Sequence, residues 1–227
     1  MLQLSFNGLD PGSELDRERI QREFRSGKCA FLPGFLHPSV LERVQAMARE
    51  TNFRTREDCD ETGKVFGREF TLDDRHPLAN LMFFLLNQPV LFETVGALTE
   101  TPKPMTYFRS RVYQMVANSD HFDSWHDDHE RAQTIGLSVN LSSETLDGGE
   151  FEIRDVPSGK VLRVIENSSF GDAHIFQIGA DYQHRVRPVR GTAIRFSCAG
   201  WFCHQPDYRT VLREMIVGRR SADHSGQ

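Results

Sequence analysis

Two histidines and one aspartate in the second half of the chain could hold a single metal ion. His126 and Asp128 form a His-x-Asp pair, and His184 follows further along the sequence. Two imidazoles and one carboxylate can occupy one face of an octahedral Fe(II) and leave the other positions open for small ligands. Side chains two residues apart on a strand point the same way, so we expect a strand to bring His126 and Asp128 to one ion, with Asp127 facing elsewhere.

A second His-x-Asp pair, His121 and Asp123, competes with the first. Position in the chain favours the later pair, because it lies directly before a polar turn and a strand predicted over 134–141. Along that strand small or polar residues alternate with apolar ones, which is typical of a sheet with one face on a pocket and the other on a core. Residues 116–124, which contain the earlier pair, are predicted to form a loop.

An arginine on the last predicted strand of this region could bind an anion near the metal. After His184 the chain turns at Arg190-Gly191 and returns through a strand on which Arg195 and Ser197 point the same way. A guanidinium inside an apolar barrel is costly unless it meets an anion. Because a guanidinium beside a hydroxyl suits a carboxylate, we expect such a ligand here. The alternative is a salt bridge on the outside of the sheet.

The elements that would position these residues fall into two zones. Residues 14–100 are predicted to be mainly helical, with Ser13 as an N-cap, a short strand at 29–32 and a loop or irregular hairpin over 52–75. From about Met105 to Phe202, short β-prone runs alternate with turns, which indicates a sandwich or jelly roll. The predicted helices cover 14–27, 38–50, 77–86 and 89–98; the predicted strands cover 111–115, 134–141, 151–154, 161–165, 174–178, 184–189 and 192–196.

Length and composition fit one domain. The 227 residues predict a single unit over 1–218, with helical support at about 14–100, a jelly-roll core at about 105–205 and a mobile tail at 219–227. The formal charge of −5, without a long run of Lys or Arg, argues against nucleic acid as the main partner. No stretch reaches the roughly 20 apolar residues of a membrane-spanning helix. We therefore expect a cytoplasmic protein that does not enter a membrane, with reduced cysteines.

At these residues the sequence resembles the 2-oxoglutarate/Fe(II)-dependent oxygenase superfamily, especially its prolyl-4-hydroxylase-like branch. The resemblance covers roughly Met105–Phe202. It depends on the order of five motifs: His126-x-Asp128, Asp147-Gly148-Gly149-Glu150-Phe151, Gly171-Asp172-Ala173, His184-x-Val-x-Pro-Val, and Arg195-x-Ser197 ahead of Trp201-Phe202.

The resemblance implies both a fold and a set of roles. The fold would be mainly β, a double-stranded β-helix (jelly roll) with the helices of the N-terminal part packed on one sheet. His126, Asp128 and His184 would hold Fe(II), while Arg195 with Ser197 would bind the distal carboxylate of 2-oxoglutarate. The keto-acid end of 2-oxoglutarate would chelate the metal, and O2 would be the second co-substrate.

The sequence also departs from the family pattern. Hydroxylases of this branch often carry Tyr on the strand after His-x-Asp, aimed at the distal carboxylate, and here Asn140 is predicted to replace it with a neutral hydrogen bond. Asp128 stands where halogenating members have Gly or Ala, which implies hydroxylation as the outcome. Tyr113 is a candidate contact of co-substrate or substrate, with a core aromatic role as the alternative. Arg109 and Arg111 are predicted to form surface salt bridges rather than to meet a substrate carboxylate.

The resemblance predicts a dioxygenase that hydroxylates a small amino-acid-like or biosynthetic substrate, free or tethered to a carrier, with release of succinate and CO2. One alternative is a peptidyl or protein side-chain hydroxylase of the same superfamily. A second is a cupin-type metalloenzyme that does not use 2-oxoglutarate, against which Arg195 and Ser197 argue. A third is a jelly-roll binding domain without activity, which would leave the metal ligands as coincidence.

Overall fold

The structure is a computed structural model that describes residues 1–48, 53–60, 62–73, 75–128, 133–166 and 169–204, without the side chain of Gln133. The mobile tail predicted at 219–227 and the end of the helix predicted at 38–50 lie outside the described residues.

The N-terminal part supplies the helices. Helix α1 (Glu14–Gly27) begins at Ser13, whose side chain accepts a hydrogen bond from the backbone of Asp16 while the Asp16 carboxylate bonds back, so the predicted N-cap is confirmed as a capping box. The other three helices each begin with a proline, which lacks the backbone N–H that a first turn leaves unpaired. They are α2 (Pro38–Ala48), α3 (Pro77–Leu86) and α4 (Pro89–Thr99).

Most strands form one curled sheet, called the major sheet below. In spatial order its strands are β3 (Cys29–Leu32), β12 (Ala173–Gln177), β8 (Gln133–Asn140), β15 (Ile194–Cys203), β6 (Tyr107–Val116), β5 (Val65–Thr71) and β4 (Arg54–Cys59). All neighbouring pairs are antiparallel, and β7 (Phe122–Asp123) also pairs with β5.

A smaller sheet faces the major sheet. It contains β11 (Val161–Ile165), β10 (Phe151–Asp155) and β13 (Tyr182–Val186), again antiparallel. A two-stranded pair, β9 (Asp147–Gly148) with β14 (Val189–Arg190), continues beside it. A further hairpin, β1 (Gln3–Ser5) with β2 (Gly8–Asp10), lies at the N-terminus and was not predicted from the sequence.

Alternation along the strands separates two buried regions. The helix-facing core lies between the major sheet and the helices, and Ile135, Leu137 and Val139 of β8 are buried in it. The interior face lies between the two sheets, and the apolar residues of β10 and β12 that point inward, such as Phe151 and Phe176, pack there. The predicted fold class is therefore confirmed: a mainly β jelly roll with helices on one sheet.

The structure refines two of the predicted segments. Of the two forms predicted for 52–75, a loop or an irregular hairpin, the structure has the hairpin: β4 and β5 pair with a register shift between Asp58 and Cys59 and extend the major sheet beside β6. Strand β15 continues to Cys203, because both of its neighbours, β6 and β8, remain paired with it to that residue.

Among the described residues, no single helix is long and apolar enough to cross a membrane, although α3 and α4 together, bent by 60°, pass that test.

Candidate metal centre

The two predicted histidine ligands are joined through their backbones. His126 and His184 form an isolated antiparallel bridge, with His126 N–H donating to the His184 carbonyl at 3.1 Å and His184 N–H donating to the His126 carbonyl at 2.9 Å. Because their backbones pair, both rings lie side by side, with centroids 4.3 Å apart. His184 comes from β13, so the smaller sheet fixes the position of this pair.

The carboxylate of Asp128 completes the group. Its Oδ2 lies 3.1 Å from His184 Nε2 and 3.6 Å from His126 Nε2. One candidate ligand atom from each of the three residues lies within 4.8 Å of the other two. The structure therefore brings together the three side chains that the sequence predicted.

The prediction that a strand brings His126 and Asp128 to one ion is wrong. His126 and Asp128 do not lie on a regular strand: His126 makes only the bridge to His184, and Asp128 has a φ of 51°, in the left-handed region. Asp tolerates this conformation better than most residues do. The turn, rather than the alternation of a strand, directs the carboxylate back toward the two rings.

Electrostatics at this point favour a cation. Burial alone would raise the pKa of Asp128, but hydrogen bonds from His126 and His184 hold it well below its usual value. Burial alone would lower the pKa of His126, but Asp123 and Asp128 raise it to about 10. The carboxylates thus stabilise positive charge where the three side chains meet. Two imidazoles and one carboxylate are also the donor set of non-haem Fe(II) oxygenases, so the residues present fit that metal.

Asp123, which belongs to the competing His-x-Asp pair, orients the predicted metal ligand His126 and is not itself one of the three clustered ligands. Its Oδ1 lies 3.2 Å from His126 Nδ1, which also lies 2.7 Å from the Ser124 carbonyl, and its Oδ2 accepts a hydrogen bond from the Val186 N–H at 2.9 Å. These contacts leave His126 Nε2 for the metal. His121 does not share this role, because its Nδ1 accepts a hydrogen bond from the Val116 N–H.

Trp201 holds the carboxylate ligand from the other side. Its indole N–H donates to Asp128 Oδ2 at 2.7 Å from β15. No role in the site was predicted for this tryptophan. The signal that could have found it is its place on β15, six residues after Arg195, because positions separated by an even number of residues share a face of a strand.

A cavity of about 80 Å³ adjoins the three ligands. One wall is apolar and includes Phe151, Phe176 and Val186. Another wall is charged, and there Arg111 Nη1 lies 2.6 Å from Asp58 Oδ2 and 3.2 Å from Glu69 Oε1. The prediction of a surface salt bridge for Arg111 was therefore wrong. The two carboxylates come from the hairpin of β4 and β5 and line the same cavity.

Arg195 lies in a second cavity next to the first. Its side chain is only 6% exposed, and its Nη1 donates to the Tyr113 hydroxyl at 2.7 Å. Among the described residues, no carboxylate oxygen lies within 4.0 Å of a nitrogen of this guanidinium, the distance at which the two would form an ion pair. A buried guanidinium without a carboxylate partner is the group expected at an anion site. Ser138 and Phe151 line both cavities, so the two are contiguous.

The other residues predicted to contact the co-substrate lie in different surroundings. Tyr113 lines the cavity at the metal ligands, and Asn140 lines the one at Arg195. The Asn140 side chain also bonds locally, with Nδ2 donating to the Ser169 carbonyl at 3.2 Å and Oδ1 accepting from the Ser142 N–H at 3.0 Å. Ser197 Oγ is buried and has no hydrogen-bond partner in the part of the chain that the structure describes. Roles for Tyr113, Asn140 and Ser197 in binding stay predictions.

Comparison with known proteins agrees with this geometry. Residues 110–203 match the family model of the 2OG-Fe(II) oxygenase superfamily. The sequence matches none of the curated proteins. Among solved structures, an oxidoreductase of the 2OG-Fe(II) oxygenase family from Burkholderia pseudomallei is 18% identical, with a TM-score of 0.63 over 86% of this chain and 93% of the other.

Two further structures have similar folds. A prolyl hydroxylase from Trichoplax adhaerens, solved with a peptide fragment of the hypoxia inducible factor oxygen degradation domain, is 16% identical, with a TM-score of 0.58 over 84% of this chain and 90% of the other. SnoN, a non-heme alpha ketoglutarate dependent epimerase from nogalamycin biosynthesis, is 15% identical, with a TM-score of 0.60 over 84% of each chain.

At these identities the solved structures show only the fold, and the enzyme class rests on the family model. The resemblance to the 2OG-Fe(II) oxygenase superfamily that the sequence predicted is confirmed by the family model over residues 110–203. The oxidoreductase class is confirmed as well, together with Fe(II), 2-oxoglutarate and O2 as the cofactor and co-substrates of this type of enzyme. These findings argue against the cupin-type and binding-domain alternatives.

Proposed function

We propose that this 2OG-Fe(II) oxygenase hydroxylates a small amino-acid-like or biosynthetic substrate and releases succinate and CO2. The observation that carries the proposal is the contiguity of two sites: three converging metal ligands, and a buried guanidinium that lacks a carboxylate partner among the described residues. A dicarboxylate with a keto acid at one end is the type of ligand that would bind both.

His126, Asp128 and His184 would hold the iron, and Arg195 would bind the distal carboxylate of 2-oxoglutarate. When bound, the iron with 2-oxoglutarate and O2 supplies the oxidation, in which 2-oxoglutarate becomes succinate and CO2 and one oxygen atom enters the substrate. The protein supplies geometry and excludes water. Asp123 keeps His126 oriented, the Trp201 indole holds Asp128, and the apolar wall with Phe151 limits access of water.

The charged wall supports an amino-acid-like substrate. Arg111 offers a cation and Asp58 an anion on the same side of the cavity at the metal ligands, with Glu69 beside them. A substrate with both an amino and a carboxyl group could pair with groups of both signs. The small cavity, about 80 Å³, suits a compact molecule or one side chain of a peptide. Peptidyl hydroxylation is therefore the second candidate.

One experiment tests the class and the substrate together. Protein loaded with Fe(II) and 2-oxoglutarate under anaerobic conditions is mixed with pools of free amino acids or peptides, and the change in the visible spectrum as water leaves the metal is recorded. Oxygen is then admitted and succinate is measured. Free amino acids that change the spectrum and raise succinate release would support the proposal, whereas a response to peptides alone would favour the second candidate.

The anion site has its own test. Losing a buried charge-assisted pair costs roughly 2–5 kcal/mol, so Arg195→Ala should raise the apparent KM for 2-oxoglutarate at least about thirtyfold. Arg190→Ala is the matched control, because Arg190 is exposed and pairs with Asp147 at the surface. Equal KM values in wild type and Arg195→Ala would remove the basis for placing 2-oxoglutarate in this cavity.

A further inference from the structure

His174 is a buried polar residue with no role in the site described so far. It lies on β12, is 5% exposed and lines the same cavity as Arg195. Its ring packs against Phe151, with centroids 4.3 Å apart. Its Nε2 is buried and, over the ranges that the structure describes, has no hydrogen-bond partner. A buried nitrogen of this kind costs free energy unless a ligand satisfies it.

The imidazole of His174 is neutral. Burial, with smaller contributions from the charges of Arg195 and His184, lowers its pKa to about 3. A neutral imidazole has one N–H donor and one acceptor nitrogen, so it can hydrogen-bond an anion without adding a second full charge beside Arg195. His174 is also not one of the clustered metal ligands. In the tautomer that carries the proton on Nε2, the ring can therefore donate a hydrogen bond inside the anion cavity.

We propose that His174 binds the co-substrate, by donating Nε2–H to the same carboxylate that Arg195 binds. This inference rests on the proposed function. In the sheet His174 is paired with Ser138, which lines both cavities, so the imidazole lies where the two cavities join. A carboxylate has two oxygens and can accept from several donors at once. Arg195 already gives one N–H to Tyr113, and His174 adds a donor from a different strand.

The test measures binding of two ligands that share only one end. Both 2-oxoglutarate and oxalate can chelate a metal through adjacent oxygens, but only 2-oxoglutarate extends a distal carboxylate toward Arg195. Binding of each to Mn(II)-loaded protein is followed by calorimetry, which does not depend on activity. The variants are His174→Leu, which removes the donor at similar size, and His174→Gln, which keeps an N–H donor. His37→Leu, at a histidine that bonds Ser39 away from both cavities, is the control.

His174→Leu should weaken 2-oxoglutarate binding about tenfold to hundredfold, as expected for loss of a hydrogen bond to a charged group. Oxalate and Mn(II) binding should stay at wild-type values, His174→Gln should recover part of the loss, and His37→Leu should match wild type. Unchanged 2-oxoglutarate affinity in His174→Leu, or an equal loss for oxalate, would overturn the inference. If wild-type protein with Mn(II) binds no 2-oxoglutarate, the proposed function itself fails.

A measurement on the wild-type protein keeps the inference testable if His174→Leu does not fold. Histidines are labelled with ¹⁵N and the protein is loaded with diamagnetic Zn(II). Addition of 2-oxoglutarate, but not of oxalate, should shift the Nε2 signal of a neutral histidine that is not a metal ligand, and that signal should be absent from His174→Gln. No such shift would refute the contact.

Discussion

The two faces of the major sheet contain the same strands but differ in what their side chains require. On the helix-facing core, Leu137 and its neighbours are apolar and are satisfied by packing alone. On the interior face, Ser138, His174 and Arg195 are buried among aromatic rings. His174 Nε2, His184 Nδ1 and Ser197 Oγ have no hydrogen-bond partner within the described part of the chain. A fold without ligands gains little from such polar groups, so the interior face is organised for binding.

The residues that stabilise the fold and the residues available for binding lie on opposite faces of the same sheet. Alternation along β8 sends one residue to each face in turn, so a single strand contributes to both. Substitutions on the helix-facing core should therefore change the free energy of unfolding, and substitutions on the interior face should change ligand affinity.

Removing a metal ligand should have the largest effect. Asp128→Ala leaves two of three ligands and should reduce both Mn(II) affinity and 2-oxoglutarate turnover by more than the roughly hundredfold upper range seen for outer-shell changes. Folding should be retained, because the substitution removes contacts with His126, His184 and Trp201 but leaves the backbone pairing of both sheets intact. Calorimetry with Mn(II) and succinate release measure the two quantities. Asp127→Ala is the neighbouring control, and wild-type turnover in Asp128→Ala would refute the assignment.

Truncation on the opposite face should produce the reverse result. Leu137→Ala removes a fully buried side chain from the helix-facing core and should lower the free energy of unfolding by about 2–5 kcal/mol. Affinity for 2-oxoglutarate, measured at a temperature where the variant is folded, should match that of wild type. Denaturant unfolding and calorimetry compare the two. A loss of affinity like that of Arg195→Ala, without loss of stability, would break the division between the faces.

Much of this division could be predicted from sequence, because the pattern of residue types along 134–141 and 192–196 separates the two faces without knowledge of the fold. The metal ligands were predicted through residue types and order. The roles of Asp123 and Trp201 were not, since each depends on a contact between strands distant in sequence. The charged wall was missed for the same reason: Arg111 meets Asp58 and Glu69 only once β4 and β5 join the sheet beside β6.

A smaller effect on metal affinity is expected from the contact between Asp123 and His126. Asp123→Asn weakens the acceptor beside His126 Nδ1 without changing its size, and loss of such an outer contact typically lowers metal affinity about tenfold to hundredfold. Asp120→Asn is the control on the same segment, since Asp120 is exposed and pairs with Arg68. Mn(II) titrations of the three proteins distinguish them. Equal Mn(II) affinities would show that the Ser124 carbonyl alone orients the ring.

The smallest expected effect concerns stability on the interior side, where a charge opposes folding. Glu69 is 13% exposed, and burial raises its pKa to about 7, despite the nearby guanidinium of Arg111. Because the Glu69 carboxyl keeps its proton in the folded state above the pH at which the unfolded chain loses it, Glu69 lowers the free energy of unfolding progressively as pH rises from about 4.5 to 7.

Glu69→Gln should abolish that loss and be more stable than wild type by of order 1–2 kcal/mol at pH 8, with little difference at pH 4. Glu57→Gln, on the same hairpin but exposed, is the control for denaturant unfolding at both pH values. A difference that does not change with pH would show that Glu69 ionises normally, and that the charged wall does not reduce the stability of the fold.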